Sequence, residues 1–317
     1  MATMEPDWQW YRSFLAVLDQ GSLSAAARAL GLTQPTLGRH IDALEAALQL
    51  KLFTRSHEGF APTEGALALR PYAATLADTA AALLRAAGGQ GEGVRGAVRI
   101  TASEAIGVEV LPPILAALRQ RHPQLVIELV LSNTLGDLLR READIAVRMV
   151  PPTQAALVAR RIGSIELGLH AHPSYLARCG TPTTASQLGA HNVVGFDQET
   201  PWLRRAAQQL GGIDRSLFAL RCDSDLASLA AIRAGFGLGM CQVPLARRYG
   251  LVRVLPRPFS LAMDTWVAMH EDLRDSPRCA VTFAALADGL AAYVRGTGPA
   301  ASPRATAAKR ARRPAVT

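Results

Sequence analysis

Apolar residues near the N-terminus recur at steps of three and four and predict two short helices. The first spans Leu23–Leu30, whose leucines and alanines share one helical face. Gly31 follows directly, where a left-handed C-cap costs a glycine little. Thr33 can cap a second helix, and Pro35 falls in its first turn, where the missing N–H breaks no intrahelical bond. An apolar stripe from Leu37 to Leu48 continues this helix, so the segment predicts a helix-turn-helix.

The flanking segments extend this motif on both sides. Upstream, apolar residues between Trp10 and Leu18 predict another helix, which ends at Gly21. Downstream, residues 51–63 form two short β-like runs around a polar turn at residues 56–59. Three helices followed by a hairpin predict a winged helix-turn-helix domain over residues 1–62. The alternative for the two short helices is an ordinary helical hairpin inside a core.

A long alanine-rich helix is predicted over residues 63–88, with Thr63 as its cap. Leu69, Leu76 and Leu83 recur every seven residues along it, which is typical of a coiled-coil seam. The alternative is a single amphipathic helix packed on its own domain. The glycine-rich residues 89–94 then predict a flexible hinge and a domain boundary.

Strand-like and helix-like segments alternate along the rest of the chain, over residues 95–295, and imply parallel α/β layers. The predicted strands are Ala97–Thr101, Leu125–Leu131, Asp144–Val150 and residues 165–171, 191–196, 216–222, 237–241 and 264–270. The predicted helices are Val108–Arg121, a short helix through Leu139, Asp225–Ala234 and Ser276–Val294.

Composition narrows the class of protein. Of 317 residues, 49% are hydrophobic, which is enough for a large core, yet no run of about 18 uncharged apolar residues predicts a membrane span. Acids near the N-terminus are unlike the basic start of a signal peptide, so we expect a cytoplasmic protein. The four cysteines have no metal-ligand or framework spacing, which predicts buried, reduced thiols and no metal site.

The net charge of +8 lies mostly at the C-terminal end. Six basic residues and no acids follow Asp288, so residues 1–288 carry only +2, and residues 1–60 carry −1. Residues 296–317 have little hydrophobic bulk and are expected to form a disordered basic tail. The net charge of the N-terminal domain therefore gives little support to nucleic-acid binding. The case for such binding depends on where its few arginines lie.

The stretch GSLSAAARALGLTQPTLGRHIDALEAALQLKLFTR, together with G-F-A-P-T-E-G after it, resembles the DNA-binding domain of LysR-type transcriptional regulators. This likeness covers residues 8–66 and continues to about residue 292. Two departures are Gly38, where the family usually has a serine that can bond to phosphate, and the order TEGA at residues 63–66, where TEAG is commoner. The resemblance implies a bacterial homo-oligomer, a homodimer or homotetramer, that binds double-stranded promoter DNA and responds to a small-molecule effector.

Candidate DNA contacts lie at the start and outer side of the second short helix and on the wing. By the resemblance, Gln34, Pro35 and Thr36 approach bases, while Thr33, Arg39 and Arg55 hold phosphates. The complete set of candidates is Thr33, Gln34, Pro35, Thr36, Gly38, Arg39, His40, Lys51 and Arg55.

The resemblance also implies two Rossmann-like lobes of the periplasmic-binding-protein type, joined by two linking strands. The first would comprise residues 95–164 with 268–295, and the second residues 165–267. Candidate effector contacts are polar or apolar residues at the carboxyl ends of predicted strands, where open sheets bind ligands. They are Ser103, Glu104, Ser132, Asn133, Thr134, Met149, Phe196, Asp197, Asp223 and Ser224.

For each serine in this set, simple helix capping is an equal alternative. Helix N-termini after Ser103 and Ser132 favour a carboxylate-bearing effector, although Glu104 would oppose it if ionised. Arg148 and the pair Arg160–Arg161 could bind an acidic ligand or serve as surface charges.

The residues predict no catalytic constellation and no cofactor, because the histidines have no spacing to a nucleophile and no glycine-rich nucleotide loop occurs. We therefore expect a regulator and not an enzyme. Two alternatives are a solute-binding protein, which the C-terminal part alone would suggest, and an α/β enzyme with an appended helical domain.

Overall fold

The structure is a computed structural model that describes residues 5–56, 59–88, 93–133, 143–152, 157–210 and 214–296. At residues 55, 56, 59, 85–88 and 201–202 it describes the backbone only. The predicted helix through Leu139, most of the glycine-rich hinge and the basic tail beyond Gly296 lie outside the described residues.

Apart from residues 135–144, the chain divides into an N-terminal unit that ends at Gly91 and a C-terminal unit that begins at Glu92. The N-terminal unit starts with three helices, α1 (Trp8–Gln20), α2 (Leu23–Leu30) and α3 (Gln34–Leu48). The tight turn between α2 and α3 forms as predicted. Gly31 is left-handed, at φ 66° and ψ 27°, and the Leu32 N–H bonds the Ala27 carbonyl at 2.9 Å.

The wing follows α3 as a two-stranded antiparallel hairpin. Strand β1 (Phe53–Ser56) pairs with β2 (Gly59–Pro62), and Ser56 lies opposite Gly59. The long helix α4 (Glu64–Gly88) comes next and continues through Pro71. Thr63 caps it as predicted, because its Oγ1 accepts the Ala66 N–H at 3.1 Å. A single hydrophobic core holds α1 to α4 and the wing together; its fully buried members include Phe14, Leu37, Leu44, Leu52 and Ala66.

Nine strands of the C-terminal unit form one mixed sheet within the described residues. They are β3 (Gly96–Ala102), β4 (Leu125–Leu131), β5 (Ile145–Arg148), β6 (Leu157–Ala171), β7 (Val193–Gly195), β8 (Phe218–Arg221), β9 (Leu238–Gln242), β10 (Val252–Arg253) and β11 (Ser260–His270). The main order is β4-β3-β5-β11-β6-β9-β7-β8, and β10 pairs with β6.

The two long strands β6 and β11 join two smaller parallel groups. On one side β3 runs parallel to β4 and β5, and on the other side β7 runs parallel to β8 and β9. The strands β6 and β11 are antiparallel to each other and so link the groups, as the resemblance implied. We call β3–β5 with their helices the first lobe, and β7–β9 with theirs the second lobe.

Helices cover the sheet. They are α5 (Glu104–Glu109), α6 (Leu111–Arg121), α7 (Pro173–Cys179), α8 (Pro201–Gln209), α9 (Asp225–Arg233), α10 (Val243–Arg248) and α11 (Pro277–Val294). Packing of α5, α6 and α11 on the first lobe, and of α9 and α10 on the second, buries the main core; its buried residues include Ile100, Ile106, Leu118, Ile145, Ile232 and Leu286.

Several sequence predictions are wrong in extent. The helix predicted at Val108–Arg121 is two helices that meet at Val110, because Pro112 lacks the N–H that a continuous helix would use to bond residue 108. The strand predicted at residues 165–171 begins eight residues earlier, at Leu157, and β11 begins at Ser260 and not at residue 264. Asp144 and Val150 lie outside the four-residue strand β5.

The cysteines are only partly as predicted. Cys241 and Cys279 are buried, but Cys179 is exposed and Cys222 is half-buried. Among the helices in the described ranges, none has the length and apolar character needed to cross a membrane.

Candidate nucleic-acid interface and inter-lobe site

The start of α3 carries a short chain of hydrogen-bonding side chains. Thr33 accepts the Thr36 N–H at 3.3 Å, and the two hydroxyl oxygens lie 2.8 Å apart. Arg39, one turn further on, donates from Nη2 to the Thr36 Oγ1 at 3.5 Å. Thr33 and Arg39 are exposed, so this arrangement presents two hydroxyls and a guanidinium to solvent at a helix N-terminus. Such groups suit a phosphate, which accepts hydrogen bonds and carries negative charge.

Gln34 and Pro35 are exposed at the same end of α3. Pro35 occupies the first turn as predicted. The Gln34 amide oxygen accepts a hydrogen bond of 3.0 Å from the hydroxyl of Ser24, which lies on α2. Ser24 is not the cap of α2, because Ser22 fills that role by accepting the Ala25 N–H at 3.2 Å.

His40 is set apart from the other candidates on α3. Its Nδ1 shares a hydrogen bond of 2.8 Å with the hydroxyl of Ser13, which is fully buried in α1. The ring is half-buried and helps join α1 to α3. Gly38 is different, because a Cβ built at this position would meet no atom within 4 Å.

The candidate wing residue Lys51 forms an ion pair at the end of α3. Its Nζ lies 2.5 Å from Glu45 Oε2, and the Lys51 side chain is 80% exposed whereas that of Glu45 is 7% exposed. Glu45 also accepts the Leu52 and Phe53 N–H groups, at 2.8 and 3.2 Å. Burial by itself raises the pKa of Glu45, but these bonds outweigh it and hold the pKa below its usual value. Lys51 therefore helps hold the start of the wing against α3, while most of its side chain stays in solvent.

Arg55 lies in β1, opposite Phe60, and its side chain is outside the described residues. The structure thus brings Thr33, Gln34, Pro35, Thr36 and Arg39 to one exposed helix end. It places His40 against α1 and ties Lys51 to Glu45.

In the C-terminal unit, two candidate effector residues meet where β3 and β4 end. Ser103 precedes α5, but its side chain makes no capping hydrogen bond to that helix. The alternative of simple helix capping is therefore wrong for Ser103. Glu104 opens α5, and its N–H donates to Asn133 Oδ1 at 3.3 Å. The carboxyl ends of β3 and β4 therefore form one polar corner of the first lobe.

This corner is bonded to the second lobe. Ser224 donates from Oγ to Glu104 Oε2 at 2.8 Å, and Asn133 Nδ2 donates to Asp225 Oδ2 at 3.4 Å. Burial raises the pKa of Asp225, and the nearby Glu104 charge adds to this, while the bond from Asn133 acts in the other direction. Asp225 was not among the effector candidates, although it was predicted as the first residue of its helix; the structure places it there, where its carboxylate accepts from Asn133 at the same junction as Ser224.

The remaining effector candidates have other surroundings. Asp223 accepts the N–H groups of Asp197 and Gln198, at 3.0 and 2.8 Å, and Asp197 forms an ion pair with Arg215. Phe196 is half-buried beside that turn.

In the first lobe, Met149 receives a hydrogen bond from the buried Thr265 hydroxyl, at 3.4 Å. The Ser132 N–H continues the sheet by bonding the Ala102 carbonyl at 2.9 Å. Thr134 lies outside the described residues.

The arginines that could have met an acidic ligand have partners. Arg148 donates to the Thr101 hydroxyl at 2.9 Å, and Arg161 pairs with Asp264 at 2.8 Å. Arg160 lies 3.9 Å from Asp288. Because the Glu104 N–H is also bonded, the described residues lend no support to the prediction of a carboxylate on the effector. Over the same residues, no three histidine, cysteine or acidic side chains are grouped closely enough to hold a metal ion.

Comparison with known proteins identifies both units. Residues 8–67 match the family model described as bacterial regulatory helix-turn-helix protein, lysR family, and residues 91–291 match the LysR substrate binding domain. An HTH-type transcriptional regulator of Xanthomonas campestris is 31% identical over 183 residues, which span 58% of this chain and 53% of that protein. The chain thus spans about half the length of this relative.

Solved structures show the same fold. Full-length AphB, a virulence activator of Vibrio cholerae, is 22% identical with a TM-score of 0.57, covering 88% of this chain and 98% of that one. Full-length CbnR in complex with its target DNA is 19% identical with a TM-score of 0.61, covering 92% and 100%. At these identities the likeness concerns the fold alone.

Proposed function

The chain belongs to the LysR family of bacterial regulatory proteins, and on that premise we propose that it regulates transcription by binding promoter DNA under the control of a small molecule. One observation supports this most directly. The exposed start of α3 combines the Thr33–Thr36–Arg39 bonds with Gln34 on a helix-turn-helix.

The groups at this helix end divide by chemistry. Gln34, Pro35 and Thr36 approach base edges in the major groove, where amide and hydroxyl groups can distinguish base pairs. Thr33, Arg39, Arg55 and Lys51 bind phosphates, which position the helix without reading sequence. We assign residues 1–62 to DNA binding and residues 95–295 to effector binding.

Pairing of two chains follows from the geometry of DNA. One chain carries one DNA-binding domain, whereas an inverted-repeat site presents two half-sites. The exposed leucines of α4, Leu76 and Leu83, offer an apolar face for a second copy. Beside Leu76, an apolar cleft of about 150 Å³ lies between α1, α3 and α4, with Tyr11 and Tyr72 in its walls. We therefore propose a homodimer or a homotetramer, acting in the cytoplasm where the bacterial chromosome lies.

The effector binds between the two lobes, at the junction of Glu104, Asn133, Ser224 and Asp225. A ligand there must replace the bonds that join the lobes, so the ligand-bound arrangement differs from the ligand-free one. Such a change requires the ligand to bind one arrangement more tightly than the other. Two carboxyl groups at the junction favour an effector that brings hydrogen-bond donors or positive charge.

The DNA-binding proposal is tested by promoter titration at several salt concentrations. Arg39→Ala should weaken binding to all sequences and reduce the salt slope by about one. Arg274→Ala, which removes an exposed arginine from the C-terminal unit, is the matched control and should leave both unchanged. Equal effects of the two variants would contradict the assignment of the α3 surface.

A further inference from the structure

The contact between Ser24 and Gln34 joins two exposed side chains from different helices. Ser24 is the second residue of α2, and Gln34 is the first residue of α3. The Ser24 hydroxyl donates to the Gln34 Oε1 at 3.0 Å. Because Ser22 already caps α2, this hydroxyl is not needed for the helix start.

The backbone of Gln34 is held on both sides. Thr33 caps α3 just before it, and Pro35 follows with a fixed φ. Only the side-chain torsions of Gln34 remain to be set, and the Ser24 bond acts on these.

The direction of the bond decides what Gln34 presents to DNA. A glutamine amide has one acceptor oxygen and one donor nitrogen. With Oε1 engaged by the Ser24 hydroxyl, the Nε2 group is the part of the amide left to meet DNA, and it presents donors. Paired bonding to adenine needs both ends of the amide at the base, one for N6 and one for N7. Guanine offers two acceptors, O6 and N7, and needs donors only.

We propose that Ser24 is a positioning residue that determines the base preference of Gln34, by turning its amide so that it favours guanine over adenine. This inference rests on the proposed DNA-binding function. Ser24 itself touches no base; it acts through Gln34.

The test is selection from a randomised DNA pool with the full-length protein, comparing wild type, Ser24→Ala, Ser24→Thr, Gln34→Ala and the double variant Ser24→Ala/Gln34→Ala. In Ser24→Ala we expect the guanine-to-adenine preference at one position of each half-site to fall about three- to tenfold, the range of one lost hydrogen bond. Ser24→Thr keeps the hydroxyl and should retain the wild-type profile. In the Gln34→Ala background, the loss of Ser24 should change nothing further.

Three results would overturn the inference. If Gln34→Ala changes the profile and Ser24→Ala does not, Ser24 does not position the amide. If Ser24→Ala changes the profile equally with and without Gln34, Ser24 reads DNA directly. If the wild type selects no sequence at all, the proposed function itself fails, which is a different outcome from an altered profile.

Discussion

The Ser224 hydroxyl donates a hydrogen bond of 2.8 Å to Glu104 Oε2, and these two residues belong to different lobes of the C-terminal unit. Asn133 and Asp225 form a second bond across the same junction. On α5, Glu109 adds a third connection, because its carbonyl accepts from Arg248 at 2.5 Å and its carboxylate from Tyr249. Side-chain bonds therefore join the lobes in addition to the strands β6 and β11, and an effector at the proposed site would have to compete with them.

The first prediction measures this connection by a double-mutant cycle. Ser224→Ala also removes a helix cap, since Ser224 accepts the Ala227 N–H, so the single variant is not enough. Combined with Glu104→Ala, the cycle isolates the pair, and we expect a coupling free energy of about 1–2 kcal/mol because the acceptor is charged. The measurement is the free energy of unfolding in urea. Strictly additive effects would mean that the bond does not stabilise the junction.

The second prediction concerns the pH dependence that Asp225 causes. Its pKa is raised, chiefly by burial, so the folded protein holds this proton more tightly than the unfolded chain does. The charged form is therefore destabilising, fully so above the folded pKa; the penalty shrinks as the pH falls below that pKa and is gone only below 3.8, the usual value for this carboxyl. Asp225→Asn should raise Tm at pH 7, by an amount that shrinks towards acid pH.

Asp223→Asn is the contrasting variant for this measurement. Its carboxylate accepts two backbone N–H groups, so its neutralisation should lower Tm at pH 7. A lower Tm for both variants would show that Asp225 carries no charge penalty.

The third prediction concerns the buried Glu45. Glu45→Ala leaves the buried Leu52 and Phe53 N–H groups without their acceptor, and should cost about 2–4 kcal/mol of unfolding free energy. Lys51→Ala should cost far less, because the Lys51 side chain is exposed and water screens its ion pair with Glu45. Since the pKa of Glu45 is lowered in the folded state, its contribution is complete above 4.5, its usual value, and is lost as the pH falls further. Urea unfolding at pH 7 and pH 3.5 checks both points, and an equal cost for the two variants would contradict them.

The fourth prediction uses Gly38, inside α3. An added Cβ meets nothing within 4 Å, so Gly38→Ala should stabilise the protein by roughly 0.5–1 kcal/mol. Gly38→Ser should also tighten DNA binding a few-fold, without a change in salt slope, because a hydroxyl adds a phosphate hydrogen bond but no charge. At Gly65 the Cβ would lie 2.9 Å from a Leu50 methyl group, so Gly65→Ala should not stabilise. Thermal unfolding that ranks the two alanine variants equally would refute this reasoning.

The fifth prediction concerns assembly through α4. Leu76 and Leu83 are 46% and 67% exposed in the single chain, so replacing both with aspartate should leave the fold intact. If a second copy covers them, the charges are buried and the chains separate, because an unpaired buried charge costs several kcal/mol. Light scattering should then report a smaller mass, and a promoter titration should show weaker binding. Leu67→Asp, which changes an equally exposed leucine away from the seven-residue repeat, should keep the native mass, and an unchanged mass for the double variant would mean that α4 does not pair chains.

Sequence by itself determined the helix-turn-helix, because its signals are local. Gly31 supplies the left-handed turn, Thr33 caps within three residues, and both act through atoms a few positions apart. The apolar stripe of α3 likewise follows from the helical repeat alone. The same reasoning failed at Val110. Pro112 indicates a helix break there, but the apolar spacing around it led to the prediction of one continuous helix.

Only the tertiary structure decided which polar side chains meet. Ser24 and Gln34 are ten residues apart, and Glu104 and Ser224 are 120 residues apart, so no local pattern pairs them. The His40 ring has nitrogen atoms suited to a contact with DNA, yet packing of α1 on α3 turns this ring to Ser13. The full length of β6 also depends on its partner β11, because a strand without a continuous hydrophobic alternation is completed by the backbone hydrogen bonds of its neighbour. Local signals reside in adjacent residues, whereas these contacts exist only after distant segments have packed.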